Sequence, residues 1–157
     1  MNYKNCFKSP LGWITVTDDS KAITGIGFEK TDSQEIQENA LNREAIRQLK
    51  EYFEGTRSVF SLPLAPQGTE FQQKVWAALQ EIPYGETRSY KEIALQCGSG
   101  KACRAVGMAN HRNPIGIVIP CHRVVGSSGK LTGYAGGLDK KQYLLELERR
   151  YKLHEDV

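Results

Sequence analysis

Cys121 is the residue in this chain best placed to do covalent chemistry. It follows Pro120, precedes His122 and Arg123, and sits at the end of the short apolar run Ile115 to Ile119. The nucleophilic form of cysteine is the thiolate, and neighbouring cations favour it, so His122 and Arg123 are expected to lower the thiol pKa. Pro120 presets its own φ and offers no backbone donor, which suits a chain that must stop pairing and turn. Adjacent residues of a regular strand point to opposite faces, so Cys121 and His122 can cooperate only in a bend or through a bridging water. The competing reading is a small buried hydrophobe, the usual state of a free cysteine. Chemistry alone leaves both open. The other cysteines, at 6, 97 and 103, form no CxxC pair, and the three histidines have no HxxxH spacing. No metal site is expected from such a set.

A second group lies just upstream. Ala102, Ala105 and Ala109 recur at i, i+3 and i+7, a helical stripe with almost no side chain, flanked by the long cation Arg104. Readers of the major groove normally project Arg, Asn or Gln at base edges. A small stripe beside one arginine suits close approach to the narrower groove, with Arg104 inserted beside the bases. The plain alternative is that alanines are good helix formers and Arg104 is a solvated charge.

These residues need elements to hold them. Thr69-Glu70-Phe71-Gln72 fits a capping box, and Phe71, Val75, Ala78, Leu79 and Ile82 then fall on one face of a helix that Pro83 stops. A second box, Ser89-Tyr90-Lys91-Glu92, opens a shorter helix ending near Cys97-Gly98. A third helix is expected from Lys101 to about His111, so the last two form a helix-turn-helix across Gly98-Ser99-Gly100. Five glycines between Gly126 and Gly137 mark a loop, and Asp139 to about Leu153 reads as a closing helix. Upstream, alternation in Trp13 to Thr17 and Ile23 to Phe28, divided by Asp18-Asp19-Ser20-Lys21, predicts a small antiparallel sheet. Ser33 to Glu54 reads as a helix ended by Gly55, and 58–68 as a crossing segment. The expected fold is α+β: a small N-terminal antiparallel sheet with a helix (1–65), packed on a mainly helical C-terminal domain (66–157).

The 157 residues are 39% apolar and 25% charged, an ordinary globular balance that excludes a disordered chain. No apolar run reaches membrane-spanning length and the N-terminus has no signal-peptide pattern, so a cytoplasmic location is expected. Residues 1–68 carry a net charge of −1 and the remainder +4. From Arg88 to Lys141 nine basic residues face only Glu92 and Asp139. Such a stretch is compatible with a polyanion, or with a solvated surface.

Pro120-Cys121-His122-Arg123-Val124-Val125, with Asn113-Pro114 eight residues before the cysteine, resembles the O6-alkylguanine-DNA alkyltransferases (methylated-DNA–protein-cysteine methyltransferases). The likeness continues through Tyr84-Gly85-Glu86-Thr87, Ser89-Tyr90, Ala102 to Gly107, Tyr134-Ala135-Gly136-Gly137 and Leu144-Leu145…Glu148, and covers nearly all of 69–150. The first 65 residues match only in general α/β character.

The resemblance implies direct DNA repair by a single-turnover suicide enzyme acting on O6-alkylguanine, with O4-alkylthymine as a further lesion. Double-stranded DNA would bind the helix-turn-helix through Ala102, Ala105, Ala109 and Arg104, and Arg104 would fill the gap left by the flipped base. Tyr90 would help rotate the nucleotide and then protonate guanine N3. Cys121 would attack the alkyl carbon, with His122 as base through a water and Glu148 orienting it. Asn113 would tie the cysteine turn to the recognition helix. The carbonyls of Cys121 and Val124 would accept from the exocyclic amine, while the loop at Tyr134 and Ala135 closes the pocket. Ala135 stands where some members have Ser, leaving only its backbone amide to donate. Gly116 stands where some have Pro, implying a more open rim. No cofactor, metal, membrane or obligate protein partner is implied, and the protein would act as a monomer. Two other readings remain: a sensor or regulator without transfer activity, whose family-like examples replace the cysteine, and a thiol hydrolase.

Overall fold

The computed structural model describes residues 2–155, with side chains through residue 152. The chain forms two compact units: Met1–Gln67 with Pro114–Gly116, and Gly68–Asn113 with Ile117–Val157. It is α+β, with a three-stranded antiparallel sheet and five helices.

In the first unit β1 (Tyr3–Ser9), β2 (Gly12–Asp18) and β3 (Ile23–Gly27) pair in sequence order. Ser9 makes the first hairpin: its hydroxyl donates to the Gly12 carbonyl at 2.8 Å and accepts the Leu11 amide at 3.0 Å. The sheet buries Ile14, Val16 and Ile23 completely against α1 (Ala40–Glu54). The expected helix from Ser33 is corrected here. Ser33–Glu35 is a 3-10 turn, and α1 begins only at Ala40. Asn39 and Asn42 form a reciprocal capping box, and the buried Asp18 carboxylate holds both side-chain amides, at 2.8 and 3.0 Å. A cap fixed by a tertiary partner starts the helix there, whatever the apolar spacing upstream. Gly55 ends it at φ 81°, the left-handed conformation that glycine adopts without a Cβ penalty.

The outer side of β3 is covered by two non-adjacent pieces of chain. Ile23 bridges to Leu64, and Ile26 bridges to Ile115. The Ile26 amide donates to the Pro114 carbonyl at 2.9 Å, and Gly116 donates back to Ile26 at 3.0 Å. The apolar run 115–119 is therefore not one element. Ile115 belongs to this unit, and Ile117 turns away with φ 68°, a strained conformation for a β-branched residue.

The second unit holds α2 (Glu70–Gln80), β4 (Arg88–Ser89), α3 (Tyr90–Gln96), α4 (Cys103–His111), β5 (Val124–Val125) and α5 (Leu138–Glu155). Both predicted capping boxes, Thr69 with Gln72 and Ser89 with Glu92, are present. α2, α3 and α4 pack together, and the buried Trp76 indole of α2 donates to the Ala109 carbonyl of α4 at 2.8 Å. α4 starts two residues later than expected, because Ala102 occupies the N-cap and has no side-chain oxygen to secure an earlier turn. Among the described residues no helix is long and apolar enough to cross a membrane.

Candidate active site

Cys121, His122 and Arg123 form one 3-10 turn, and all three are buried. The turn is closed by Arg123 N–H to the Pro120 carbonyl at 2.9 Å and by Val124 N–H to the Cys121 carbonyl. This is the bend that adjacent nucleophile and base require. β5 follows at once and pairs in parallel with β4, Arg88 opposite Val124 and Ser89 opposite Val125. Tyr90 directly follows β4 and opens α3, and the parallel register carries it past Val125, on the side away from the cysteine turn.

Glu148, on the inner face of α5, organises the site. Its Oε2 lies 2.6 Å from His122 Nε2 and 3.0 Å from Arg123 Nη2. Its Oε1 accepts Arg123 Nε at 2.8 Å and the Gly85 amide at 3.2 Å. Gly85 reaches the carboxylate at φ 80°, where a Cβ would meet Lys152 at 2.5 Å. A buried carboxylate is costly unless its lone pairs are satisfied, and here four donors converge on it. Burial pushes the Glu148 carboxyl up, but the charges and hydrogen bonds of His122 and Arg123 outweigh it and hold the group well below its ordinary range. Burial pushes the His122 imidazole down, against the opposing pull of Glu148. The pair is thus a carboxylate and a neutral ring whose Nε2–H donates to Glu148. Nδ1 then carries the lone pair, and it makes no hydrogen bond to any described residue.

The expectation that His122 and Arg123 lower the thiol pKa is corrected. Burial pushes the Cys121 thiol up; a hydrogen bond from Asn113 and the charge of Lys141 oppose this without prevailing. The Arg123 guanidinium is committed to Glu148 and to the Ile82 carbonyl, at 2.7 Å, so its charge is spent away from the sulfur. The resting cysteine is a thiol that needs a base.

Asn113 donates from Nδ2 to the Ile119 carbonyl at 2.8 Å, linking the end of α4 to the chain entering the turn. Asn110, which sequence reasoning missed, adds a second link from α4: its Nδ2 donates to the Cys121 carbonyl at 3.3 Å. It shares the buried face of α4 with Val106, four residues earlier, and that spacing was the available signal. Lys141 was also missed. Its side chain is entirely buried, and Nζ donates to the carbonyls of Val124 (2.6 Å), Thr132 (2.7 Å) and Gly133 (3.3 Å). It lies at i, i+3, i+4 and i+7 with Leu144, Leu145 and Glu148, the inward stripe of α5.

The remaining predicted residues divide. The Tyr90 hydroxyl donates to the Thr132 carbonyl at 3.3 Å and accepts from the Thr132 hydroxyl at 3.2 Å, tying α3 to the glycine-rich loop. Tyr134 is buried, which keeps its phenol well above its ordinary pKa, while Ala135 beside it is exposed. Val124 is fully buried. Arg104 and Ala105 are exposed on α4, and Ala102 is half-buried. Ala109 is buried at 2% exposure and supplies the carbonyl to Trp76, so it is not part of an open stripe. Around the helix axis Ala109 falls between exposed Ala105 and buried Val106, on the side that Trp76 of α2 covers. Gly116 belongs to the first unit, where its amide is used by Ile26.

Comparison with known proteins identifies the family of the chain. Residues 70–150 match the family described as 6-O-methylguanine DNA methyltransferase, DNA binding domain, and residues 2–66 match its ribonuclease-like domain. A methylated-DNA–protein-cysteine methyltransferase of Methanosarcina barkeri is 53% identical, covering 93% of this chain and 96% of its own. The constitutive Bacillus subtilis enzyme of that name is 47% identical over 95% and 96%. The OGT of Mycobacterium tuberculosis, solved in complex with DNA, superposes with a TM-score of 0.88 at 45% identity, covering 95% and 94%. Matches that span both halves, at about half identity, leave one conclusion: the chain belongs to the methylated-DNA–protein-cysteine methyltransferase family.

Proposed function

We propose that this protein repairs DNA by transferring the alkyl group of O6-alkylguanine to its own Cys121, once per molecule. The observation that carries the reading is the buried Glu148–His122 pair, which leaves Nδ1, on the same turn as the Cys121 thiol, without a hydrogen bond to any described residue. Methyl transfer between methylated DNA and a protein cysteine is also what the matching relatives are named for.

Duplex DNA engages α3 and α4 through the narrow groove, with Arg104 and Ala105 leading and Ala102 at the helix entrance. The alkylated nucleotide leaves the stack at a cost of about a few kcal/mol, less than for an intact pair because the lesion weakens pairing. Arg104 takes the vacated space. His122 Nδ1 removes the thiol proton through a bridging water, and Glu148 stabilises the imidazolium that forms. The sulfur attacks the alkyl carbon in line: the S–C bond forms, the C–O6 bond breaks, and its electron pair passes into the purine. Tyr90 delivers a proton to N3, and the proton on His122 restores Tyr90 through solvent. The Cys121 and Val124 carbonyls accept from the 2-amino group, and the loop at Tyr134 and Ala135 covers the base. O4-alkylthymine enters the same pocket as a poorer substrate. The protein works as a monomer and takes the alkyl group from DNA without a cofactor.

A thioether is not hydrolysed at neutral pH, so Cys121 is consumed. Incubation with a duplex carrying O6-methylguanine should add one methyl per protein by intact mass, mapped to the Cys121 peptide. Cys121→Ser should add none while binding the same duplex. Catalytic turnover beyond one equivalent, or a methyl elsewhere, would refute the proposal.

A further inference from the structure

Lys141 is a buried cation without a carboxylate among its hydrogen-bond partners. Its three ammonium protons meet three backbone carbonyls from two separate segments: Val124, just after the cysteine turn, and Thr132 and Gly133 in the glycine-rich loop. Burial lowers its pKa to about 8, an effect that the thiolate form of Cys121 opposes. Nζ also stands 5.9 Å from the centre of the Tyr90 ring. Desolvating an ammonium is expensive, and a methionine would fill similar volume at less cost. The mechanism above gives Lys141 no proton to move.

What the ammonium does achieve is geometric. A carbonyl oxygen has two lone pairs, and a short charge-assisted bond at 2.6 Å fixes one of them on Val124. The other then points in a set direction. The same atom fastens Thr132, which Tyr90 also holds, so the covering loop and the Val124 carbonyl are referenced to one point. Loop residues Ser128, Gly129, Gly133 and Gly137 all have positive φ, and regular structure among 126–137 is limited to one 3-10 turn. That segment relies on such ties for its position.

We propose that Lys141 is a specificity-positioning residue: it orients the Val124 carbonyl to read the 2-amino group of the base while holding the pocket loop to the same point. This rests on the reading that guanine occupies the pocket with its amine on Val124. Correct alignment of one hydrogen bond to a buried partner is worth about tenfold in rate, and that advantage should belong to bases that carry the amine.

The test compares single-turnover methylation of Cys121 on matched duplexes carrying O6-methylguanine or O6-methylhypoxanthine, which lacks only the amine. The parent should prefer O6-methylguanine by about tenfold. Lys141→Met should lose most of that preference, mainly through a slower reaction with O6-methylguanine, with duplex affinity unchanged. Lys141→Gln, which retains polarity but cannot meet three carbonyls, replaces it if the methionine variant does not melt cooperatively. An unchanged preference, with both bases slowed alike, overturns the proposal and leaves Lys141 a support of the fold or of sulfur reactivity. A parent without preference overturns it too. A parent that transfers no methyl from either base instead removes the functional reading on which it stands.

Discussion

Glu148 converts three separate stretches of chain into one site. Its carboxylate collects donors from Gly85, His122 and Arg123. Removing one partner of a buried ion pair leaves the other charged and unpaired, so Glu148→Ala should destabilise the protein by about 3–5 kcal/mol in denaturant unfolding. The surviving protein should also transfer methyl slowly, because His122 loses the group that fixes its tautomer. The pH dependence of transfer has a definite sign. The Cys121 thiol is raised by burial and His122 is lowered, so the base is neutral and competent at pH 7 while the sulfur is protonated. Transfer from O6-methylguanine should therefore hold steady from pH 6.5 to 8.5 and slow on the acid side as His122 takes up a proton, read as methylated protein per unit time; a rate that keeps rising through that range would mean that bulk solvent, not His122, takes the thiol proton. At this scale the sequence exposed the cysteine motif but not its electrostatics. Arg123 reads as a cation beside the sulfur, whereas its partner lies 25 positions away on α5.

Among the elements, α4 is the one that, under the proposed function, joins recognition to chemistry. Arg104 and Ala105 face outward, while Asn110 and, just past its end, Asn113 hold the cysteine turn by its backbone. Arg104→Ala should slow repair of a duplex by about tenfold or more, since an unfilled gap leaves the flipped state without its compensating contact. Reaction with the free modified base should change little; an equal loss on both would place Arg104 outside the flipping step. Helices set by local caps were legible: Thr69–Gln72 and Ser89–Glu92 each start where the sequence says. The start of α1 was not, because Asn39 gains its advantage from Asp18, twenty-one residues earlier. Ala109 shows the same limit, since a stripe of alanines does not reveal which one Trp76 covers. Gly116, where the resemblance implies a more open pocket rim, is also a backbone donor to Ile26. A proline there would lose the amide bond to Ile26, so an altered response to bulky bases in Gly116→Pro would not isolate pocket shape.

For the molecule as a whole, acid should be the harmful direction. The folded-state pKa values of His122 and Glu148 both lie below their ordinary 6.5 and 4.5, so the unfolded chain binds these protons more readily. Their contribution is complete above pH 6.5, begins to fall as His122 is drawn toward protonation, and falls further below 4.5 as Glu148 joins it. Thermal melting should shift down between pH 7.5 and 5, and Glu148→Gln should steepen that dependence, because the carboxylate is what holds the His122 pKa up against burial. A parent melt insensitive to pH over this range would mean that the pair does not titrate with unfolding. The sequence reading divides the chain at 65/66, and nothing in it announces the return of 114–116 to the first unit, since three residues carry no periodicity. That return bears on the order of synthesis. Ribosomes add about 5–20 residues per second, so a few seconds separate the emergence of Gln67 from that of Gly116. Throughout that interval the nascent first unit has its strands but an open edge at Ile26, with an amide and a carbonyl that a neighbouring chain can pair. On crowded polysomes this edge, rather than any feature of the finished protein, is where mispairing between nascent copies would begin.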